Sequence, residues 1–141
     1  MNSLSTHRSV FTVVERIIGG VALGLAALAM AGCAALQPRP AEEVVKEKAQ
    51  ARWDALVKGD IKAAYAFMSP GSRSVITPEG YEASIRKGFW KSAVVEKVEC
   101  SSPQSCDAIA TIEYEYLGKR TKTPLRETWI KEGSEWWYLR K

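Results

Sequence analysis

The chain has 141 residues and a formal net charge of +4; 46% of its residues are hydrophobic, and it holds only three cysteines and one histidine. A chain this short forms one small domain, which excludes a two-domain enzyme. Its basic residues are scattered along the sequence, so nothing indicates nucleic-acid recognition.

The first 32 residues have the order of a secretory signal peptide. A polar segment that carries Arg8 and Arg16 precedes the run Ile17–Met30, which has no charged side chain. This run spans 14 residues, whereas a membrane-spanning helix needs about 20. Residues 1–32 are therefore predicted to be a leader that is removed from the mature protein.

The sequence Ala-Met-Ala-Gly-Cys that ends at Cys33 resembles the lipobox of bacterial lipoproteins. The resemblance implies that the thiol of Cys33 receives diacylglycerol and that cleavage makes this residue the new N-terminus. Met30 departs mildly from the usual leucine, and the alternative is an ordinary small cysteine in an uncleaved anchor. Ala34 follows the cysteine, as in the outer-membrane sorting class. We therefore expect a lipid-anchored protein of the bacterial cell envelope, in the outer membrane and facing the periplasm.

Residues 33–40 comprise the lipidated cysteine and a short tether that holds two prolines. The seven residues after the cysteine extend to at most roughly 25 Å, which keeps the folded domain, residues 41–141, close to the membrane. Removal of the leader takes away two arginines and one glutamate and leaves 18 basic against 15 acidic residues. This excess is small, and a mixed, solvated exterior is the simpler interpretation.

Two further cysteines agree with export. Cys100 and Cys106 flank the turn-rich segment Ser101–Ser105 between two strand-like runs. In an oxidising compartment their thiols are predicted to form a disulfide that closes a hairpin. Free thiols or pairing between chains are the alternatives. The spacing does not suit a zinc site, and no metal is expected.

Three helices are predicted in the first half of the domain. Apolar residues recur at helical spacing, a glycine ends the first helix, and Asp60 is a suitable N-cap for the second. A Ser-Pro-Gly segment then breaks the chain, and Thr77 followed by Pro78 starts the third helix. The expected bounds are Ala41–Lys58, Ile61–Met68 and Pro78–Gly88.

Four strands are predicted after Gly88. The second strand alternates clearly between apolar and polar residues. The first strand has apolar residues at both odd and even positions, so its register is ambiguous. Helices followed by antiparallel hairpins predict an α+β fold with the helices on one face of the sheet. The expected strands are Ala93–Cys100, Ala108–Tyr116, Leu125–Lys131 and Glu135–Arg140, with a turn at Leu117–Thr123 between the second and third.

Three stretches, Arg52–Asp60, Ala64–Pro70 and Glu127–Arg140, resemble an NTF2-like (cystatin-like) domain of the SnoaL and ketosteroid isomerase superfamily. The resemblance covers about residues 41–141 and is a pattern of apolar and turn positions. It implies N-terminal helices packed on a strongly curved antiparallel sheet of about four strands, wrapped into a cone. The interior of such a cone is either a ligand pocket or plain core, so the fold does not specify a function.

The predicted mature domain has few residues that are suited to catalysis. His7 lies in the leader, so no imidazole is left as a base or metal ligand. No catalytic residue, metal or cofactor is therefore assigned. The weak candidate is Glu127, which shares side-chain parity with Leu125 and Trp129 and is the strand acid that best fits the apolar side. We favour the alternative that it is an edge acid or a salt-bridged acid at the rim.

Aromatic side chains are the candidates for lining the cone. Rings in such positions usually form core, and only an unfilled volume makes a binding site. The residues concerned are Trp53, Tyr65, Tyr114 and Trp129. The run Trp136–Tyr138 puts rings on both faces of the last strand. It is compatible with a homodimer face or with packing against the N-terminal helix.

The sequence is compatible with three functions. The leading hypothesis is a lipid-anchored, periplasm-facing, non-catalytic module that binds a protein partner or a small apolar ligand. The second is an isomerase- or cyclase-like enzyme that uses a pocket acid with Tyr65 or Tyr114 on a small hydrophobic substrate. The third is a structural subunit of an envelope assembly. The absence of a cavity of about 300 Å³ would count against the enzyme.

Overall fold

A computed structural model describes residues 38–141 of the chain. In this part, four helices precede four strands. The helices are α1 (Ala41–Lys58), α2 (Ile61–Ala66), α3 (Pro70–Val75) and α4 (Pro78–Ser84), and the strands are β1 (Trp90–Ser102), β2 (Ser105–Tyr116), β3 (Lys119–Glu132) and β4 (Glu135–Tyr138). Within these residues no helix combines the length and hydropathy that crossing a bilayer requires. The predicted leader and Cys33 lie outside the described residues.

Capping chemistry sets the helix ends. Gly59 ends α1 in a left-handed conformation with φ of 78°, which glycine adopts without strain. Asp60 begins α2, because its Oδ1 accepts a hydrogen bond from the Ala63 N–H at 3.0 Å. Helix α2 ends at Ala66, two residues before the predicted end, since Met68 instead forms a parallel bridge with Tyr138.

Helix α3 was not predicted from the sequence, where Ser69-Pro70-Gly71 was interpreted as a break. The Ser69 Oγ accepts a hydrogen bond from the Ser72 N–H at 3.0 Å, and Pro70 occupies the first helical turn. Serine followed by proline is a start signal as well as a break, because proline lacks an N–H that the first turn would leave unpaired. Helix α4 begins at Pro78 as predicted and ends at Ser84.

The four strands form one antiparallel sheet in the order β1-β2-β3-β4. This confirms the α+β class and the four-stranded antiparallel sheet. The predicted turn at Leu117–Thr123 is wrong: the turn holds only Leu117 and Gly118, both with positive φ, and β3 begins at Lys119. Polar residues at the start of β3 hid this pairing, which continues without interruption from the Tyr116–Lys119 pair.

Helix α1 packs on one face of the sheet, and the core lies between them. Strand β2 buries alternate residues from Cys106 to Ile112, as its pattern predicted. The ambiguous register of β1 is explained by an irregularity between Val95 and Lys97, which shifts the side-chain parity. Buried apolar side chains on the two sides of the core include Val45, Ala49, Trp53 and Leu56 from α1, and Val95, Ala108, Ala110, Ile112 and Trp129 from the sheet.

Helix α1 and strand β1 run in opposite directions. The Lys46 Nζ donates to the Glu96 carbonyl at 3.0 Å, whereas further along the helix the ring of Trp53 meets that of Trp90 at 5.5 Å between centroids. The start of α1 therefore lies toward the β1–β2 turn. The end of α1 lies toward Trp90 and the β2–β3 turn at the other end of the sheet.

Candidate functional site

A buried ion pair joins α1 to β3. The Arg52 Nη1 lies 2.5 Å from the Glu127 Oε1, and the two side chains are only 5% and 4% exposed. Arg52 is placed there because it follows Val45 and Ala49 on the buried stripe of α1. Glu127 is placed there because it alternates with half-buried Leu125 and buried Trp129 along β3. The parity argument for Glu127 therefore holds, and the acid is salt-bridged in the interior rather than at the rim.

Aromatic groups hold the guanidinium of Arg52. Its Nη2 donates a hydrogen bond to the Tyr81 hydroxyl at 3.2 Å. Its Cζ lies 3.8 Å from the ring centroid of Tyr138 and 5.5 Å from that of Trp53. These cation–π contacts compensate in part for the loss of water around the charge.

Two polar atoms of this ion pair have no hydrogen-bond partner among the described residues, namely Arg52 Nε and Glu127 Oε2. Burial raises the pKa of Glu127, and the charge of Arg52 acts against that shift. The indole N–H groups of Trp53 and Trp129 also favour the carboxylate, but neither makes a hydrogen bond of good geometry. A buried donor and acceptor left unpaired are costly.

The ion pair forms part of the wall of a pocket of about 230 Å³. A second pocket, of about 280 Å³, adjoins it and shares Ile85 and Trp90. The first is lined by Arg52, Trp53, Leu56, Tyr81, Ile85, Trp90, Leu125, Glu127, Tyr138 and Arg140. The second is lined by Ser84, Ile85, Arg86, Phe89, Trp90 and Tyr116. Each volume is somewhat below the ~300–1,000 Å³ that small-molecule sites occupy.

The predicted lining residues are found in different places. Trp53 lines the first pocket. The Tyr65 hydroxyl donates to the Ile76 carbonyl at 2.9 Å, and Tyr114 stacks on Phe89 at 4.9 Å between centroids. Trp129 is wholly buried in the core. Of the four predicted aromatic residues, only Trp53 is therefore part of the pocket wall.

Most residues that line the first pocket were missed in the sequence, among them Arg52, Tyr81, Tyr138 and Arg140. For Arg52 a signal existed: it is a charge on the apolar stripe of the first predicted helix, and such a charge needs a buried partner. Tyr138 belongs to the aromatic run that was weighed only as a dimer face or as packing. In that run Trp136 is buried, and Lys48 of α1 lies 5.8 Å from the ring of Trp137.

The predicted cysteine pair is joined in the structure. Cys100 and Cys106 are opposite each other in the β1–β2 register, with their sulfurs 1.97 Å apart. Across residues 38–141, no group of three or more His, Cys, Asp or Glu side chains is arranged to hold a metal ion.

No protein-family model matches the chain, and no curated protein matches it. Among solved structures, a SEC-C motif containing protein from Psychrobacter arcticus is similar, with 13% identity over 74% of this chain and a TM-score of 0.58. A SEC-C motif containing protein from Rhodopseudomonas palustris has 12% identity over 63% of this chain and a TM-score of 0.51. This chain spans 63% and 70% of their lengths, and the likeness concerns the fold alone.

These neighbours correct the family expected from the sequence. The resemblance to an NTF2-like lipoprotein domain is wrong, because the similar structures are SEC-C motif containing proteins and no comparison supports that family. The three stretches that carried the resemblance consist of apolar positions, caps and turns. Those features follow from packing helices on an antiparallel sheet, so they do not distinguish one α+β family from another.

Proposed function

We propose that the protein is a non-catalytic binding module, held at the cell envelope by a lipid on Cys33, that takes a small, largely apolar ligand into the pocket beside Arg52 and Glu127. One observation carries this proposal. A fully buried ion pair borders a pocket whose other walls are mostly apolar or aromatic, and it leaves one donor and one acceptor unpaired. Such a pocket combines apolar walls with a few convergent polar atoms, as ligand sites do.

The state of Glu127 favours binding over catalysis. A general base must be free to take a proton from substrate, whereas one oxygen of Glu127 lies 2.5 Å from the guanidinium of Arg52. Arg52 is in turn fixed by Tyr81 and Tyr138. This arrangement suits a rigid wall that orients a ligand.

The proposal includes the curved sheet that was expected from the sequence. Register irregularities interrupt the pairing of β1 with β2 near Trp90, Val95 and Cys100, and such bulges bend a strand and increase its twist. A sheet that curves around α1 would leave an unfilled volume beside Trp90, which lines both pockets.

The lipid anchor is tested by mass spectrometry of the full chain extracted from membranes. We expect loss of residues 1–32 and acyl groups on Cys33. The Cys33→Ser variant should lack the acyl mass and should not be processed at that site. An intact leader on wild-type protein would overturn the anchor while leaving the pocket proposal standing.

The pocket is tested by photo-labelling with a neutral alkyl diazirine, using the full chain in phospholipid nanodiscs. Label should map to the segment 84–90. Replacement of half-buried Ile85 by Trp should fill the volume shared by the two pockets and reduce that labelling several-fold. The matched control is Val75→Trp, because Val75 is 84% exposed on α3. Equal labelling of both variants and wild type would contradict the proposal.

A second candidate is acid–base chemistry at Glu127. It is favoured by the raised pKa of this carboxyl and by its unpaired Oε2, since a catalytic acid needs a proton near neutral pH. Turnover of a small apolar substrate that is lost in Glu127→Gln, with ligand affinity unchanged, would establish this candidate over a purely binding role.

A further inference from the structure

We infer that the ligand of the proposed pocket is an amphipathic anion, with one apolar chain and an acidic oxygen head group such as a carboxylate. This inference rests on the proposed binding function and adds the chemical class of the ligand. It is carried by unpaired arginine side chains at the pocket walls, a feature that the proposed function does not use.

Arg140 supplies the charge at the first pocket. Its side chain is half-buried, its Nη1 donates to the Ser84 Oγ at 3.3 Å, and its guanidinium lies 5.4 Å from the ring centroid of Tyr81. Within residues 38–141 it forms no ion pair with a carboxylate. A guanidinium held in place by such weak contacts keeps most of its donors free for an anion.

Arg86 lines the second pocket and is exposed. Its guanidinium lies 5.5 Å from the ring centroid of Phe89, and it too has no carboxylate partner in the part of the chain that the structure describes. The other arginines of that part are mostly paired with acids: Arg39, Arg52, Arg120 and Arg126. The arginines without a carboxylate partner are therefore concentrated at the two pockets, with Arg73 as the exception.

The charge balance of the first pocket selects against cations. Arg52 and Arg140 face a single acid, Glu127, and that acid is already neutralised by Arg52. An oxygen-rich anion would accept hydrogen bonds from the guanidinium of Arg140, whereas an ammonium group would add a third positive charge.

The apolar chain has a continuous path. Ile85 and Trp90 line both pockets, and the second pocket adds Phe89 and Tyr116. A head group at Arg140 would therefore place the chain across Ile85 and Trp90 into the second pocket. Leu56 and Leu125 complete the apolar wall beside the head group.

The test uses three diazirine probes with the same chain and a carboxylate, hydroxyl or trimethylammonium head. The full chain in nanodiscs of neutral phospholipid is labelled at pH 7.5 and low salt, and label on residues 84–90 is measured by mass spectrometry. We expect the carboxylate probe to label about tenfold more than the alcohol, the scale of one charge-assisted hydrogen bond. The ammonium probe should label least, and added salt should reduce the difference.

Arg140→Gln should bring the ratio of carboxylate to alcohol labelling close to one, because the carboxylate probe loses its charged partner. The charge-matched control is Arg73→Gln, which removes an arginine that also lacks a carboxylate partner but lies 5.1 Å from the ring centroid of Trp137, outside both pockets. This control should keep the wild-type ratio.

The outcomes separate the two proposals. Equal labelling by the carboxylate and the alcohol, or preference for ammonium, would overturn the anion inference and leave the binding module standing. A carboxylate preference that survives Arg140→Gln would overturn the assigned head-group residue. Absence of label from residues 84–90 with all three probes would overturn both the inference and the proposed function.

Discussion

The side-chain amide of Gln50 hydrogen-bonds to Val95 as a neighbouring strand would. Its Oε1 accepts from the Val95 N–H at 2.8 Å, and its Nε2 donates to the carbonyl of Ala93 at 3.0 Å. Strand β1 is an edge of the sheet, and unpaired edge groups invite pairing with another chain. Helix α1 therefore covers part of this edge with a side chain.

Gln50→Ala should destabilise the fold and expose the edge. The loss of two part-buried hydrogen bonds is expected to lower the free energy of unfolding by about 1–3 kcal/mol. Urea unfolding of the purified full chain measures this change, and light scattering measures association. Gln50→Glu keeps the acceptor for the Val95 N–H and should retain more stability than alanine. Wild-type stability in both variants would show that water replaces the amide.

Removing one partner of the buried ion pair should lower the free energy of unfolding more than removing both partners. Arg52→Met leaves Glu127 unpaired and is expected to lower the free energy of unfolding by about 3–5 kcal/mol at neutral pH. The double variant Arg52→Met, Glu127→Met replaces both charges by apolar groups and should recover most of that loss. A double-mutant cycle on urea unfolding gives the coupling.

The matched control for this cycle is Lys97→Met with Glu99→Met. This pair also joins a cation to a carboxylate, at 2.7 Å, but its side chains are 60% and 49% exposed. Exposed pairs contribute about 1 kcal/mol or less. A coupling in the buried pair no larger than in the exposed pair would contradict the prediction.

Glu127 should make stability depend on pH. Burial raises its folded-state pKa above the ordinary value of 4.5, so above that pH the unfolded chain loses a proton that the folded chain still holds. The stabilising contribution of Glu127 is therefore complete below pH 4.5 and is lost as pH rises through the folded-state pKa. The unfolding free energy of wild type minus that of Glu127→Gln should fall from pH 4.5 to 8. A rise over this range would show that Arg52 outweighs burial.

The disulfide should contribute little to the free energy of unfolding. Cys100 and Cys106 are six positions apart, and a short closed loop limits the loss of chain entropy, so the double alanine variant should be about 2 kcal/mol less stable at most. Comparing urea unfolding of this variant with reduced wild-type protein separates the bond from the side chains. A loss well above that value, with the reduced protein equally unstable, would show that the bond does more than close the hairpin.

The sequence predicted the fold where one periodic pattern dominates. Helix α1 begins and ends at the predicted residues because its apolar stripe and Gly59 agree. Prediction from the sequence failed at Lys119–Thr123, where mostly exposed polar residues pair as a strand away from the core. Local chemistry there gives no sign of the partner strand, because the pairing is decided by continuity with β2.

The site was less accessible to prediction from sequence. Parity alone brought Glu127 to the apolar side, but its partner Arg52 is 75 positions earlier, and no local pattern joins them. Tyr65 and Tyr114 were expected in the pocket because they lie on the apolar faces of the predicted second helix and second strand. The packing of α4 and of Phe89 decided otherwise, and that packing depends on the tertiary fold.

The opposite directions of α1 and β1 give the domain a defined near side and far side. The near side holds the start of α1 and the β1–β2 turn, and the far side holds the end of α1 and the β2–β3 turn. Strand β2 has 12 residues and spans roughly 40 Å when extended, so Tyr116 and exposed Leu117 form the outermost tip. The second cavity lies at that tip beside Tyr116, whereas the first extends back along the sheet to Glu127, which pairs with Ala108 near the start of β2. A ligand that filled both would lie along the strands, and its far end would reach solvent at the tip.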